Sequence, residues 1–390
     1  MRIAFFAWES LHTVPVGGGA VHVTELAAAL ERRGHEVHVF ARLGGGQSTY
    51  EIIDGVHYHR CPIQLAPDFV TEMNNMGNAF VYFLAQTETF QGAPFDVVHG
   101  HDWLAAKGLV QAKNDRGRRI VLTFHSTEFG RNGNSRYNGR AERIHGIEAE
   151  GAYVADRVVA VSPALADEVK WLYHVPGYKI RVIYNGIHCS RFDGYVDPGT
   201  YRRRFGIGPL DPMVLYVGRM CVQKGPDILL EAGPGILEHR PDAKMVFVGD
   251  GHMRRHLEHR ARHLGIGHAV RFVGAMDANG DLVNLFKSTD VVCVPSRNEP
   301  FGIVVLEAWA AGKPVVATHN GGPHYFVEHG VDGFLVYDNP QSVCWGVNTI
   351  FGNFEHARWM GGRGRVKAAY GFSWDAVAAQ TEDVYRELTG

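Results

Sequence analysis

Cysteine is scarce in this chain, net charge is almost absent, and no long hydrophobic run occurs. The five cysteines (Cys61, Cys189, Cys221, Cys293, Cys344) are far apart, odd in number and without C-x-x-C spacing. That excludes a disulfide framework and a cysteine zinc site, and points to reduced thiols in a cytoplasmic protein. Acidic and basic residues number 41 and 39, a formal charge of −2; a dedicated nucleic-acid binder carries a strong basic excess, so that class is set aside. No apolar stretch approaches the ~20 residues needed to span a bilayer, so no transmembrane segment is expected, while peripheral membrane contact stays open. Met1-Arg2-Ile3-Ala4-Phe5-Phe6 carries no cleavage-site pattern and reads as a first β-strand, not a signal peptide. Internal repeats and low-complexity tracts are lacking too.

Present instead are 390 residues, 45% of them hydrophobic, and 47 glycines. The length exceeds one ordinary core, so two domains are expected. Short β-branched runs alternate with amphipathic stretches: a strand at Ile3–Ala7, a helix over Val21–Arg33, then strands at Glu36–Ala41, Phe95–His99, Ile120–Phe124, Arg157–Val161 and Ile180–Tyr184. Between Ile187 and Leu210 the pattern lapses into a linker-like run of Gly, Pro, Asp and Arg. It restarts with strands at Met213–Val217, Lys244–Val248, Val270–Val273, Val291–Val294 and Pro314–Ala317, separated by helices. Such alternation predicts an α/β protein of two doubly wound, Rossmann-like domains with parallel sheets. The domains are expected over 1–195 and 210–370, with a final helix within 373–390 that packs back onto the first. Ligands of such sheets bind outside the carboxyl ends of the strands.

Three segments carry chemistry. The sharpest runs Ser296-Arg297-Asn298-Glu299-Pro300-Phe301-Gly302-Ile303-Val304-Val305-Leu306-Glu307-Ala308. A strand ends in a polar turn bearing a carboxylate, and a helix starts at Gly302. Free amides at Gly302, Ile303 and Val304 would join the positive end of the helix dipole to form an anion site, with Glu299 and Glu307 both able to face one ligand. The second is Gly218-Arg219-Met220-Cys221-Val222-Gln223-Lys224-Gly225, in which an arginine and a lysine flank a loop after a strand, the chemistry that neutralises a diphosphate. The third, Gly17-Gly18-Gly19 before a helix, lets backbone approach a phosphate or sugar at Gly18 and Gly19; it is neither a G-x-G-x-x-G nor a Walker A loop. A polar excursion over Ser126–Arg143 carries Arg131, Arg136, Arg140 and Arg143, which suggests a mobile loop for an anionic acceptor. His252, His256, His259 and His263 recur at helical spacing, but neighbouring arginines would repel a cation, so no metal site is expected there.

Together these elements resemble glycosyltransferase family 4, the retaining enzymes of the GT-B fold that share features with glycogen and starch synthases. The resemblance rests on Glu299 to Glu307, the Gly-Arg…Lys-Gly loop, the N-terminal glycines, Asn185-Gly186-Ile187, Gly249-Asp250-Gly251, Phe272-Val273-Gly274, Gly321-Gly322-Pro323, His101-Asp102-Trp103 and Thr123-Phe124-His125. It implies two domains facing each other across a cleft. It implies that Arg219 and Lys224 hold the donor diphosphate, Glu299 the donor-sugar hydroxyls, Glu307 the ribose, and the amides of Ile303 and Val304 the distal phosphate. Backbone near Gly251 and Gly274 would meet the base, His125 the donor sugar, and Asp102 the acceptor. The implied reaction moves a hexosyl, specifically glucosyl, group from a UDP-, ADP- or GDP-sugar to a sugar or glycan acceptor. It proceeds with retention through an oxocarbenium–diphosphate ion pair and needs no protein nucleophile. No Asp-x-Asp occurs, so no metal and no cofactor are expected. A nucleotide-sugar epimerase on the same fold and a non-catalytic nucleotide-sugar-binding protein remain as competing readings.

Overall fold

The computed structural model describes residues 1–15, 17–135, 138–277 and 280–390. The chain divides into two units: unit 1 comprises Met1–Gly186 with Trp374–Gly390, and unit 2 comprises Ile187–Ser373.

Unit 1 is built on eight strands: β1 (Arg2–Ala7), β2 (Glu36–Arg42), β3 (Tyr50–Ile53), β4 (Val56–Cys61), β5 (Val97–His101), β6 (Arg119–Phe124), β7 (Arg157–Ala160) and β8 (Ile180–Val182). Their order is β3-β4-β2-β1-β5-β6-β7-β8, parallel throughout except for the β3–β4 hairpin at one edge. Central β1 is apolar on both faces, with Ile3 to Phe6 wholly buried, as expected for a strand covered by helices on both sides. The hairpin escaped the sequence pattern because Tyr50 and Ile52 of β3 are exposed and leave no alternation to read. The sheet winds outward from β1 to β2 and then returns to place β5 on the other side of β1. At that reversal the carboxyl ends of β1 and β5 diverge, leaving the crevice in which ligands of such sheets bind.

The last helix, Trp374–Thr389, belongs to unit 1. Trp374, Val377, Ala378, Val384 and Tyr385 join the core that holds Leu26, Leu30 and Val159. Burying each large apolar side chain of that set contributes about 1.5–3 kcal/mol. Polar ties add direction: the Tyr385 hydroxyl lies 2.6 Å from His99 Nδ1, Arg33 pairs with Glu382 at 2.6 Å, and Glu387 receives both Arg157 and Arg181.

Unit 2 has six parallel strands: β9 (Met213–Val217), β10 (Lys244–Val248), β11 (Val270–Gly274), β12 (Val291–Val294), β13 (Val315–Thr318) and β14 (Gly333–Val336), in the order β11-β10-β9-β12-β13-β14. Its own reversal lies between β10 and β12, on either side of β9.

The stretch expected as a linker between residues 187 and 210 is folded into unit 2, so the boundaries fall at 186/187 and 373/374 and not at 195 and 210. It contains the helix Pro198–Arg203, whose Arg202 is 6% exposed. Arg202 donates to the Ser288 carbonyl at 2.7 Å and the Asp211 carbonyl at 2.9 Å, and pairs with Asp290 at 2.9 Å. A buried guanidinium that satisfies loop carbonyls looks, in sequence, like one more surface arginine. Among the described residues no helix is long and apolar enough to cross a membrane.

Candidate active site

In unit 2 the loop after β9 and the turn after β12 are locked together. Gly225 takes φ +61°, and a side chain there would run into the Pro295 carbonyl. That close approach lets Arg297 N donate to the Gln223 carbonyl at 2.9 Å, while Arg297 grips Asp227 through both guanidinium nitrogens. Lys224 is thereby delivered to Glu299, with Nζ 2.9 Å from Oε1 and 2.8 Å from Oε2, and the Ser296 hydroxyl donates to Oε2 at 2.8 Å. From the opposite side Gly321, at φ +117°, packs against the Glu299 carbonyl. Glu299 N donates to the Asn320 carbonyl at 2.9 Å, and Gly322 N to the Glu299 carbonyl at 2.8 Å. The carboxylate, 5% exposed, is fixed from three directions.

The helix Ile303–Ala310 begins directly after this turn. Its cap, Gly302, sits at φ +103° and offers no side-chain hydrogen bond, and the first turn carries no acidic residue. The amides of Ile303 and Val304 therefore keep their capacity for an anion. Glu307 follows one turn on, half-buried, and burial raises its carboxyl to about 7 against the opposing pull of Arg191. Arg219 is exposed, and among the described residues no carboxylate is paired with it. Behind these groups the loops after β9, β10 and β11 form a backbone ladder: Gly218 N to Val248 O at 3.0 Å, Met220 N to Asp250 O at 2.8 Å, and Gly249 N to Gly274 O at 2.8 Å. Gly251 lies against the Met220 backbone. Arg219, Lys224, Glu299, Gly302, Ile303, Val304, Glu307, Gly251 and Gly274 thus share one unit and its strand carboxyl ends.

Unit 1 gathers a different set. Gly18 and Gly19 open the helix Gly18–Arg32, but the Glu9 carboxylate stands 2.5 Å from where a Cβ on Gly19 would lie. The Glu9 carboxylate thus stands beside the glycines where backbone contact with a phosphate or sugar was expected. Asp102 starts the helix Asp102–Arg116 in a left-handed conformation, φ +56°. Its Oδ1 accepts from His125 N at 2.7 Å and Ser126 N at 3.4 Å, so it braces the loop after β6 where contact with an acceptor was expected. The His125 ring packs edge-on against His22 at 4.5 Å and parallel to His101 at 5.5 Å between centroids. Burial lowers the His125 pKa to about 4 and holds His22 and His101 well below the usual imidazole range, so all three rings are neutral near pH 7.

The arginine-rich excursion is helical in part, in the helix Glu128–Arg131 and from the start of the helix Arg140–Val154. Arg131, expected at an acceptor, is spent internally: it pairs with Glu148 at 2.6 Å and Glu128 at 3.0 Å, and donates to the Ser126 hydroxyl at 2.7 Å. Glu148 is wholly buried and requires that counter-charge. Arg140 is exposed at its helix start, and Arg143 pairs with Asp68 at 2.9 Å. Arg136 lies outside the described residues.

Sequence reasoning missed Ser296, His22 and Asn185 as individual partners, although the first and last belong to quoted motifs. His22 sits on the buried side of its helix beside Val23 and Leu26, so a polar residue on an apolar stripe was the available signal.

Residues 199–367 match the family described as Glycosyl transferases group 1, and residues 16–191 match Glycosyltransferase Family 4. An uncharacterized glycosyltransferase of Methanocaldococcus jannaschii is 38% identical over 99% of this chain and 98% of its own length. Glycogen synthase of Mycobacterium tuberculosis is 30% identical over 99% of this chain and 94% of its own. Among solved structures, sucrose-phosphate synthase from Thermosynechococcus elongatus superposes with a TM-score of 0.81 at 25% identity, covering 99% of this chain and 98% of that one.

Proposed function

We propose that this chain, which belongs to the family 4, group 1 glycosyltransferases of GT-B fold, transfers a hexosyl, specifically glucosyl, group from a nucleoside diphosphate sugar to a sugar or glycan acceptor. Transfer retains configuration and needs no metal. The observation that carries this reading is the Lys224–Glu299 pair set beside the uncapped start of the helix Ile303–Ala310.

Departure of a nucleoside diphosphate builds negative charge on its oxygens, and preorganised cations and amides lower that barrier. Arg219 and Lys224 supply the cations, and the amides of Ile303 and Val304 take the distal phosphate. Lys224 has three N–H donors and directs two atoms' worth of attraction at Glu299, which leaves a donor for a phosphate oxygen. Glu299, kept rigid from three sides, accepts from donor-sugar hydroxyls. Glu307 accepts from the ribose. Attack from the face the diphosphate leaves gives retention, and the leaving diphosphate takes the acceptor proton, so no side chain need act as nucleophile.

Unit 1 is assigned the acceptor, with His125 offering a neutral ring to a sugar hydroxyl. Of the relatives above, one is named for a glucan product and one for a phosphorylated disaccharide product, so a glucan and a phosphorylated sugar both belong in the assay as acceptors. A cytoplasmic location fits the five free thiols.

The test is a thermal-shift panel with UDP-, ADP- and GDP-sugars, followed by transfer of labelled sugar from the binding donor in EDTA. One donor should raise the melting temperature, since ligand bound to the native state alone stabilises by linkage. A flat panel counts against the reading, and binding without transfer leaves a sensor or an epimerase.

A further inference from the structure

The geometry points to a metal site in which His22, His101 and His125 of unit 1 hold one borderline transition ion of the Zn²⁺ class, in competition with the sugar contact proposed for His125. Three elements supply the ligands: the helix Gly18–Arg32, the last residue of β5, and the residue after β6. One ring nitrogen from each lies within 4.8 Å of the other two. Zn–N bonds of 2.0–2.1 Å place two nitrogens of a tetrahedral site about 3.3–3.4 Å apart. His101 Nδ1 and His125 Nε2 already stand 3.3 Å apart, so only the third ligand needs to close in.

The protonation pattern fits. Asn185 Oδ1 accepts from His22 Nδ1 at 2.7 Å, which fixes the tautomer and leaves Nε2 as a bare lone pair. That Nε2 is buried and has no hydrogen-bond partner among the described residues. A buried polar atom left without a partner is costly. His22 and His101 are 3% and 5% exposed, so water does not readily repair the loss. A metal would satisfy the His22 lone pair, and the Asn185 contact is the outer-shell hydrogen bond that ligating histidines characteristically make through their other nitrogen. Three neutral imidazoles suit zinc, nickel, copper or iron and disfavour magnesium or calcium, which require oxygen ligands. His125 is only half-buried, which leaves a side for entry and a fourth position for water or another ligand.

The experiment uses the full chain, stripped with EDTA and titrated with ZnCl2 by calorimetry, alongside Co²⁺ followed by its visible d–d absorption. One Zn²⁺ per chain is expected, with a raised melting temperature and an intense Co²⁺ band of tetrahedral type. His22→Gln and His125→Gln should each weaken Zn²⁺ at least 100-fold, and Asn185→Ala about 10–100-fold. The double variant His256→Gln/His259→Gln, on the exposed face of the helix Arg254–His263, should keep the affinity. Melting of each variant in EDTA separates loss of fold from loss of ligand, and a variant that fails to fold is replaced by His101→Gln. The proposal is overturned if the wild type binds less than one ion at tens of micromolar Zn²⁺, or if the triad variants bind as well as the wild type. It is likewise overturned if the exposed-helix variant is the one that loses binding.

Discussion

The two units arrange their polar groups in opposite ways. Unit 2 presents charge at its strand ends: Lys224 and Glu299 are paired within hydrogen-bond distance, and the helix that follows presents uncapped amides. Unit 1 presents neutral rings, because burial keeps His22, His101 and His125 uncharged. Its charges are turned inward, Arg131 to Glu148 and Glu128, and Asp102 to backbone amides. A leaving diphosphate needs counter-charge, whereas a sugar hydroxyl needs only donors and acceptors held in place. The difference teaches that a charged residue beside a motif is no guide to ligand charge until its partners are known.

The sharpest way to break this contrast is Arg131→Ala. It strips a wholly buried carboxylate of its partner, and breaking a buried pair costs about 3–5 kcal/mol. Glu148 is raised to about 7 by burial even with Arg131 present. A folded pKa above the unfolded value means stability held below the unfolded pKa and lost as pH rises through the folded one. Removing the cation raises it further, so the variant should be more deficient at pH 8 than at pH 6 in thermal melts. Intact stability with a raised acceptor KM would return Arg131 to the acceptor site.

Lys224→Ala makes the converse case. Loss of one preorganised group facing developing charge lowers kcat by about 10²–10³, measured by labelled-sugar transfer at saturating donor. Its melting temperature should fall less than that of Arg131→Ala. If transfer survives while stability collapses, the pair is structural and unit 2 loses its claim to the donor.

A smaller effect is expected at Gly321→Ala. A methyl there meets the Glu299 carbonyl at a φ of +117°, a conformation costing an L-residue about 1–3 kcal/mol. The melting temperature should drop and the donor KM rise together, since the same backbone contact that strains the chain also positions the carboxylate. Unchanged kinetics would mean that Ser296 and Lys224 alone place Glu299.

The fold and the set of residues that unit 2 brings together were readable because their determinants are contiguous. The alternation of strands and helices survives in any local window, and Glu299, Gly302 and Glu307 lie within nine residues of one another. Even there, the pairing of Lys224 with Glu299 spans 75 positions and depends on Gly225 and Gly321 letting three loops touch. The unit 1 cluster was unreadable for the same reason carried further. His22, His101 and His125 come from three elements, while the four histidines that do recur at helical spacing, His252 to His263, are all exposed on or just before one helix. Arg131 misled because sequence shows a cation and not the buried Glu148 that consumes it. The 187–210 stretch misled because Arg202 and Tyr201, not an apolar run, anchor it to unit 2.

The pH dependence of donor binding sharpens the contrast with the least intrusion. The Glu307 carboxyl stands at about 7 in the free protein, against 4.5 unperturbed. Ribose hydroxyls donate to the ionised form, so binding favours the carboxylate and releases a proton. The donor should therefore bind more tightly as pH rises through 7. If only the ionised form binds, a pKa near 7 makes the gain about tenfold between about pH 6 and pH 8. Nucleoside diphosphate sugars have no secondary phosphate ionisation in that window, so calorimetry with the intact donor reads the protein alone. In Glu307→Gln the slope should vanish. The variant should also lose the pH-dependent stability of the free protein, because a raised carboxyl contributes stability below its unfolded pKa and surrenders it as pH climbs to 7. His125, at about 4, is already neutral across that range and adds nothing to the curve. A slope that persists in Glu307→Gln and disappears in His125→Gln would place the titrating group in unit 1 and reverse the division of labour between charge and neutral rings.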